Sequence, residues 1–83
     1  MVSKEVVVKN GTGLHARPAT LLVKKASSFK SDVSIEFNGK KANVKSLIGV
    51  LSLAVTKDSV INVIADEALA VEEIVKLIEN LED

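Results

Sequence analysis

The chain of 83 residues has no cysteine, no tryptophan and no tyrosine, and it has one histidine. Without thiols no disulfide can staple the fold. With a single imidazole, four convergent nitrogen or sulfur ligands for zinc cannot be assembled. The expectation is a protein that works without metal and without cofactor. Aromatic residues are limited to Phe29 and Phe37, too few for a base-stacking surface. Neither sign of charge is in excess, because eleven Lys plus Arg balance eleven Asp plus Glu. No net positive field gathers nucleic acid or anionic lipid. No apolar run approaches membrane-spanning length, and the start Met1-Val2-Ser3-Lys4-Glu5 lacks the basic and apolar regions of a signal peptide. The expectation is a cytoplasmic protein with no membrane insertion and no direct contact with nucleic acid.

What is present is a globular balance, 47% hydrophobic and 27% charged, without repeats or linkers. Residues 1–83 are expected to form one domain with a small core, since a chain this short buries only roughly 60% of its unfolded surface. Val6 and Val8 alternate with Glu5, Val7 and Lys9 as a half-buried strand, which ends at Asn10-Gly11-Thr12-Gly13. Ala19, Leu22, Val23, Ala26 and Phe29 then mark one stripe of a helix. Val33, Ile35 and Phe37 alternate with Ser34 and Glu36 up to Asn38-Gly39, the preferred two-residue hairpin turn. That turn predicts Phe37 opposite Lys40, Glu36 opposite Lys41, Ile35 opposite Ala42 and Val33 opposite Val44, which keeps apolar pairs together and faces opposite charges.

Ser46 is placed to cap a short helix over 47–54. Ile61, Val63 and Ala65 mark a fourth strand. Asp66 is the expected cap of a last helix with Val71, Ile74, Val75, Ile78 and Leu81 on its apolar face. Glu72 and Lys76 have the spacing of a favourable pair on that helix. Glu79, Glu82 and Asp83 oppose its dipole and predict fraying. The order β-α-β-β-α-β-α describes an α+β fold, one sheet with helices covering one face. Periodicity does not select the strand order.

The informative segment is Gly11-Thr12-Gly13-Leu14-His15-Ala16-Arg17-Pro18-Ala19-Thr20. It sets the one histidine where a glycine loop meets a helix start, whose free amides and positive dipole end favour an anion. Pro18 suits the first turn, although it disfavours a helical Arg17 before it. The Arg17 guanidinium can take two phosphate oxygens at once. Nucleophilic attack on phosphorus needs the neutral ring. A lone histidine is most often a surface or capping residue. A hydrolase built on His15 would also need a nucleophile and an orienting carboxylate, and no partner motif supplies them.

Gly13-Leu14-His15-Ala16-Arg17-Pro18-Ala19 resembles the active-site signature of HPr, the histidine-containing phosphocarrier family of the bacterial sugar phosphotransferase system. Lys45-Ser46-Leu47-Ile48-Gly49-Val50-Leu51-Ser52-Leu53 resembles the regulatory-serine region of its low-GC Gram-positive members. The resemblance implies an open-faced β-sandwich with an antiparallel sheet of strand order 1-4-2-3 and three helices on one face. It implies a carrier rather than an independent enzyme, and a monomer. Enzyme I would phosphorylate His15 at Nδ1 at the expense of phosphoenolpyruvate, and sugar-specific enzyme IIA domains would receive the group. Arg17 matches the phosphate-neutralising arginine, with the helix start at Ala16 and Arg17 as the phosphate-binding backbone. Ser46 matches the serine modified by HPr kinase/phosphorylase, and the Ser-phosphorylated form of relatives acts with a catabolite-control transcription factor. A purely regulatory relative would have a non-phosphorylatable residue at position 15, and His15 is present.

The apolar residues of the short helix cannot all be buried, so some face water. The resemblance assigns partner docking to Leu47, Ile48 and Leu51, with Arg17, Lys24 and Lys45 around them. Ala54 and Asp58 stand where glycine is usual, and the connection Asp66-Glu67-Ala68 is short for the family. These departures are expected to affect element boundaries and not to touch the phosphate site.

Overall fold

Asn38 and Gly39 both have positive φ, 53° and 77°, which matches the right-handed twist of the two strands they join. The computed structural model describes residues 1–81. The hairpin consists of β2 (Val33–Phe37) and β3 (Lys40–Asn43), in the register Phe37–Lys40, Glu36–Lys41, Ile35–Ala42 expected from the turn. Beyond the last ladder pair the Val44 amide donates to the Val33 carbonyl at 2.7 Å, so these two buried valines also meet as expected.

The remaining elements are β1 (Val2–Val7), α1 (Ala16–Ser27), α2 (Leu47–Ser52), β4 (Val60–Ala65) and α3 (Ala68–Glu79). The sheet runs β1-β4-β2-β3 with every neighbour antiparallel. Alternation sends Val6, Ile61, Val63, Ala65, Val33 and Ile35 into the core under the helices. From the helical side Leu22 and Ala26 of α1, Val50 of α2, and Val71, Ile74, Val75 and Ile78 of α3 close the same cluster. Each large side chain fully buried there contributes about 1.5–3 kcal/mol. The ion pair joining α1 to α3, Lys25 Nζ to Glu73 Oε1 at 3.5 Å, is partly exposed on both sides. Such a pair is worth about 0–1 kcal/mol, so apolar packing holds the two helices together.

Several boundaries differ from expectation for local reasons. The first helix ends at Ser27, so Phe29 lies beyond it and packs half-buried against the core, while Pro18 joins Ala19, Leu22 and Ala26 on the buried face and Val23 is only half-buried. The short helix ends at Ser52. Leu53 caps it, and Ala54 takes φ 54°, the left-handed conformation that glycine adopts without strain. Asp58 is likewise left-handed at 69°. The cap of α3 is Glu67, not Asp66, and its carboxylate does not bond the helix amides, because Oε1 accepts from Ser31 Oγ at 2.9 Å. Glu72 and Lys76 do not form the expected ion pair; Glu73 pairs with Lys25 instead. At the end of α3, Asn80 Nδ2 donates to the Lys76 carbonyl at 2.7 Å. The fraying expected at Glu82 and Asp83 falls outside the described residues.

Among the described residues no helix is long and apolar enough to cross a membrane.

Candidate functional site

The loop between β1 and α1 is anchored at both ends. Val8 N donates to Ser59 O at 2.9 Å, and Leu14 N donates to Val55 O at 3.0 Å. Between these anchors Gly13 has φ 63° and lies against Val55 and Thr56 so tightly that a β-carbon would stand 2.8 Å from Thr56 Cα. This contact requires glycine at position 13 twice over, through its φ and through the space. It also brings the segment after α2 against the segment before α1.

His15 is the N-cap of α1, with extended backbone (φ −81°, ψ −170°) and no capping bond from its ring. Its side chain is exposed and so free for chemistry. The first amide that bonds back into the helix is that of Ala19, donating to His15 O at 2.8 Å. The amides of Ala16 and Arg17 therefore precede the intrahelical ladder, and Pro18 has none to offer. Arg17 lies inside the helix as its second residue despite the following proline. Thr20 Oγ1 donates to Ala16 O at 2.7 Å, which ties down the first turn.

His15, Ala16, Arg17 and Pro18 line one side of an open depression of about 610 Å³, whose other walls are Gly11, Thr12 and Thr56. The histidine, the arginine and the first residues of α1 thus border one open space, a set of residues with the chemistry to hold a phosphoryl group. A second hollow of about 380 Å³ adjoins it, lined by Leu14, His15, Ala16, Leu51, Ala54, Val55 and Thr56. Ala54 was expected to stay clear of the phosphate site, yet it shares this hollow with His15. Folding α2 back past Gly13 carries the left-handed residue there.

The apolar residues of α2 divide cleanly. Val50 is buried and Leu53 nearly so, whereas Leu47, Ile48 and Leu51 are exposed, Ile48 by 81%. Leu51 connects this exposed patch to the hollow beside His15. Ser46 is the expected cap, accepting from Gly49 N at 3.1 Å, and is itself exposed. Lys24 is exposed on α1, but Lys45 is half-buried with Nζ donating to the Phe29 carbonyl at 2.9 Å, so its head is already engaged. Sequence reasoning missed Thr56, which lines both hollows, and the burial of Asn10 in the loop-breaking cluster.

The family model for the PTS HPr component phosphorylation site matches residues 2–80. HPr-C-His from Thermoanaerobacter tengcongensis superposes with a TM-score of 0.90 at 44% identity, over 95% of this chain and 92% of that one. The phosphocarrier protein HPr from Bacillus anthracis gives 0.86 at 38%, over 92% and 94%. The Bacillus subtilis catabolite repression protein Crh, described as an intertwined dimer with a swapping domain, gives 0.75 at 44%, over 95% and 94%. With its strand order, its His-Ala-Arg-Pro helix start and these likenesses, the chain belongs to the HPr family of phosphocarrier components of the phosphotransferase system.

Proposed function

We propose that His15 is the residue that carries the phosphoryl group, in a single HPr-like domain of residues 1–83. The observation that carries this reading is the exposed ring at the N-cap, bonded to no amide of its own helix, bordering the same depression as Arg17 and the first-turn amides. In its neutral form the ring offers Nδ1 to phosphorus. A P–N bond forms as the bond to the donor, phosphorylated enzyme I, breaks. Arg17 takes phosphate oxygens through its planar fork, and the amides of Ala16 and Arg17 supply two further donors. A nucleophile of an enzyme IIA domain then attacks the phosphorus, the P–N bond breaks, and the neutral ring returns. The chain supplies a reactive nitrogen and an anion cradle, while the catalytic groups belong to its partners, so it acts as a carrier and not as an independent enzyme.

Docking through Leu47, Ile48 and Leu51, with Arg17 and Lys24 beside them, is supported by the exposure of these apolar residues and by the hollow that links Leu51 to His15. Lys45 contributes to this surface through its stem, since its ammonium is held by Phe29. Ser46 is the proposed regulatory site for HPr kinase/phosphorylase. Its exposure beside the apolar patch supports this, because a phosphate there sets negative charge against incoming acidic partners without opposing the helix dipole. The Ser-phosphorylated form would then be the one read by a catabolite-control transcription factor.

The test is incubation with enzyme I and labelled phosphoenolpyruvate. Acid-labile, base-stable label is expected on the wild type and none on His15→Ala. Equal labelling of the two proteins would overturn the assignment.

A further inference from the structure

Among the described residues Asn10 is the polar side chain that the fold buries, at 6% exposure. Both hydrogens of its carboxamide are used inside its own turn. Nδ2 donates to Gly13 O at 2.8 Å and to Thr12 Oγ1 at 3.2 Å, while the backbone carbonyl of Asn10 accepts from Gly13 N at 3.1 Å. Exchanging the amide's oxygen and nitrogen would turn an acceptor onto the Gly13 carbonyl, so these acceptors fix its orientation. Oδ1 is buried without a protein donor. An apolar side chain would fill the same space without that penalty, so what the position retains is donation into the turn.

The turn so held forms the wall of the His15 depression. Gly11 and Thr12 stand opposite Ala16, Arg17 and Pro18, and Gly13 presses the loop onto Val55 and Thr56. We propose that Asn10 is a positioning residue for phosphoryl transfer at His15, its buried carboxamide keeping residues 11–13 in the shape that completes the depression. This rests on the carrier reading above. Asn10 touches neither the ring nor the phosphoryl group. Without its donor, the Gly13 carbonyl loses its side-chain bond and Thr12 Oγ1 loses one of its contacts, while His15 keeps its own tie through Ala19 N to His15 O and Leu14 keeps Val55. The wall loosens and the helix start stays. No residue of α2 lines the depression that this wall completes, so the loss falls on the chemical step and not on the α2 docking patch.

The experiment measures enzyme I-dependent phosphorylation over a range of carrier concentrations for the full chain, Asn10→Ala, Asn10→Asp and His15→Ala. Ile74→Val, which removes a core methylene far along α3, serves as a stability control. The expected result is a kcat lowered about tenfold in both Asn10 variants, with KM within about twofold of wild type, and wild-type kinetics in Ile74→Val. Wild-type kcat in either folded Asn10 variant overturns the role, and so does a loss confined to KM. If Asn10→Ala fails to fold, Asn10→Asp carries the test, since it keeps the shape and replaces the donor with an oxygen. A wild type that takes no label overturns the carrier reading and this role together; a labelled wild type matched by the Asn10 variants overturns this role alone.

Discussion

Gly13 and Val55 are packed so closely that a β-carbon on the glycine would fall inside contact distance of the valine's carbonyl oxygen, the same oxygen that accepts the Leu14 amide. This junction, with the Val8 amide on Ser59 O at the loop's other end, holds the loop before α1 against the segment after α2. It sets where His15 meets Thr56. Gly13→Ala should therefore lose about 2–4 kcal/mol, from a strained positive φ together with a backbone clash. Urea denaturation reads the loss; an unchanged midpoint would show that the loop moves aside freely.

Arg17 tests the planar fork rather than the charge. Arg17→Lys keeps the positive charge, but a point ammonium cannot grip two phosphate oxygens in one plane, so phosphorylation by enzyme I should slow about tenfold. Arg17→Ala should slow it about a hundredfold. Equal rates for the lysine variant and wild type would reduce the guanidinium to a simple charge.

Ser46 has a structural role that any regulatory role must leave intact. Ser46→Ala removes the acceptor for Gly49 N and should cost about 1 kcal/mol, lowering Tm by about 4–8 °C. Ser46→Asp keeps an acceptor and a charge that suits the helix start, so its melting curve should stay close to wild type while the KM for the carrier rises about tenfold. An aspartate variant phosphorylated as fast as wild type contradicts the regulatory reading.

Charge steering predicts a salt effect. Raising ionic strength from about 0.05 to 0.3 M should slow association with enzyme I severalfold, because the screening length falls from about 14 Å to about 6 Å over that range. Lys24→Ala should reduce this salt sensitivity, since Lys24 is an exposed cation on α1. A stopped-flow association rate indifferent to salt would exclude steering.

Ala54→Gly should raise stability by about 0.5–1 kcal/mol. Relief of the left-handed β-carbon exceeds the added backbone entropy of the unfolded chain. A calorimetric Tm that falls instead would mean that the methyl group's packing in the hollow beside His15 outweighs its strain.

The parts of this fold legible in the sequence are those set by local chemistry. Asn38-Gly39 dictates its turn, and the turn dictates the Ile35–Ala42 register. Ser46 before an apolar run gives the cap of α2. The single histidine before Ala-Arg-Pro gives the helix mouth. The order of strands came from family resemblance, because alternation says which face a strand buries and not which neighbour it takes. What stayed hidden depends on contacts between distant segments. Ala54 lines the His15 hollow where the segment after α2 closes on Gly13, and Asn10 is buried in the loop that Gly13 ends. Glu67 rather than Asp66 caps α3, with its carboxylate turned to Ser31, a residue 36 positions away that the β2–β4 pairing brings beside it and that no local pattern could have named.

His15, Arg17 and the start of α1 border one open depression, so a group carried there would face outward. On the proposed carrier reading, whatever delivers cargo and whatever collects it meet the chain at this same face, so two visitors cannot be served at once. Throughput in such a relay is governed by how quickly each visitor departs, and tight attachment to either would stall the traffic.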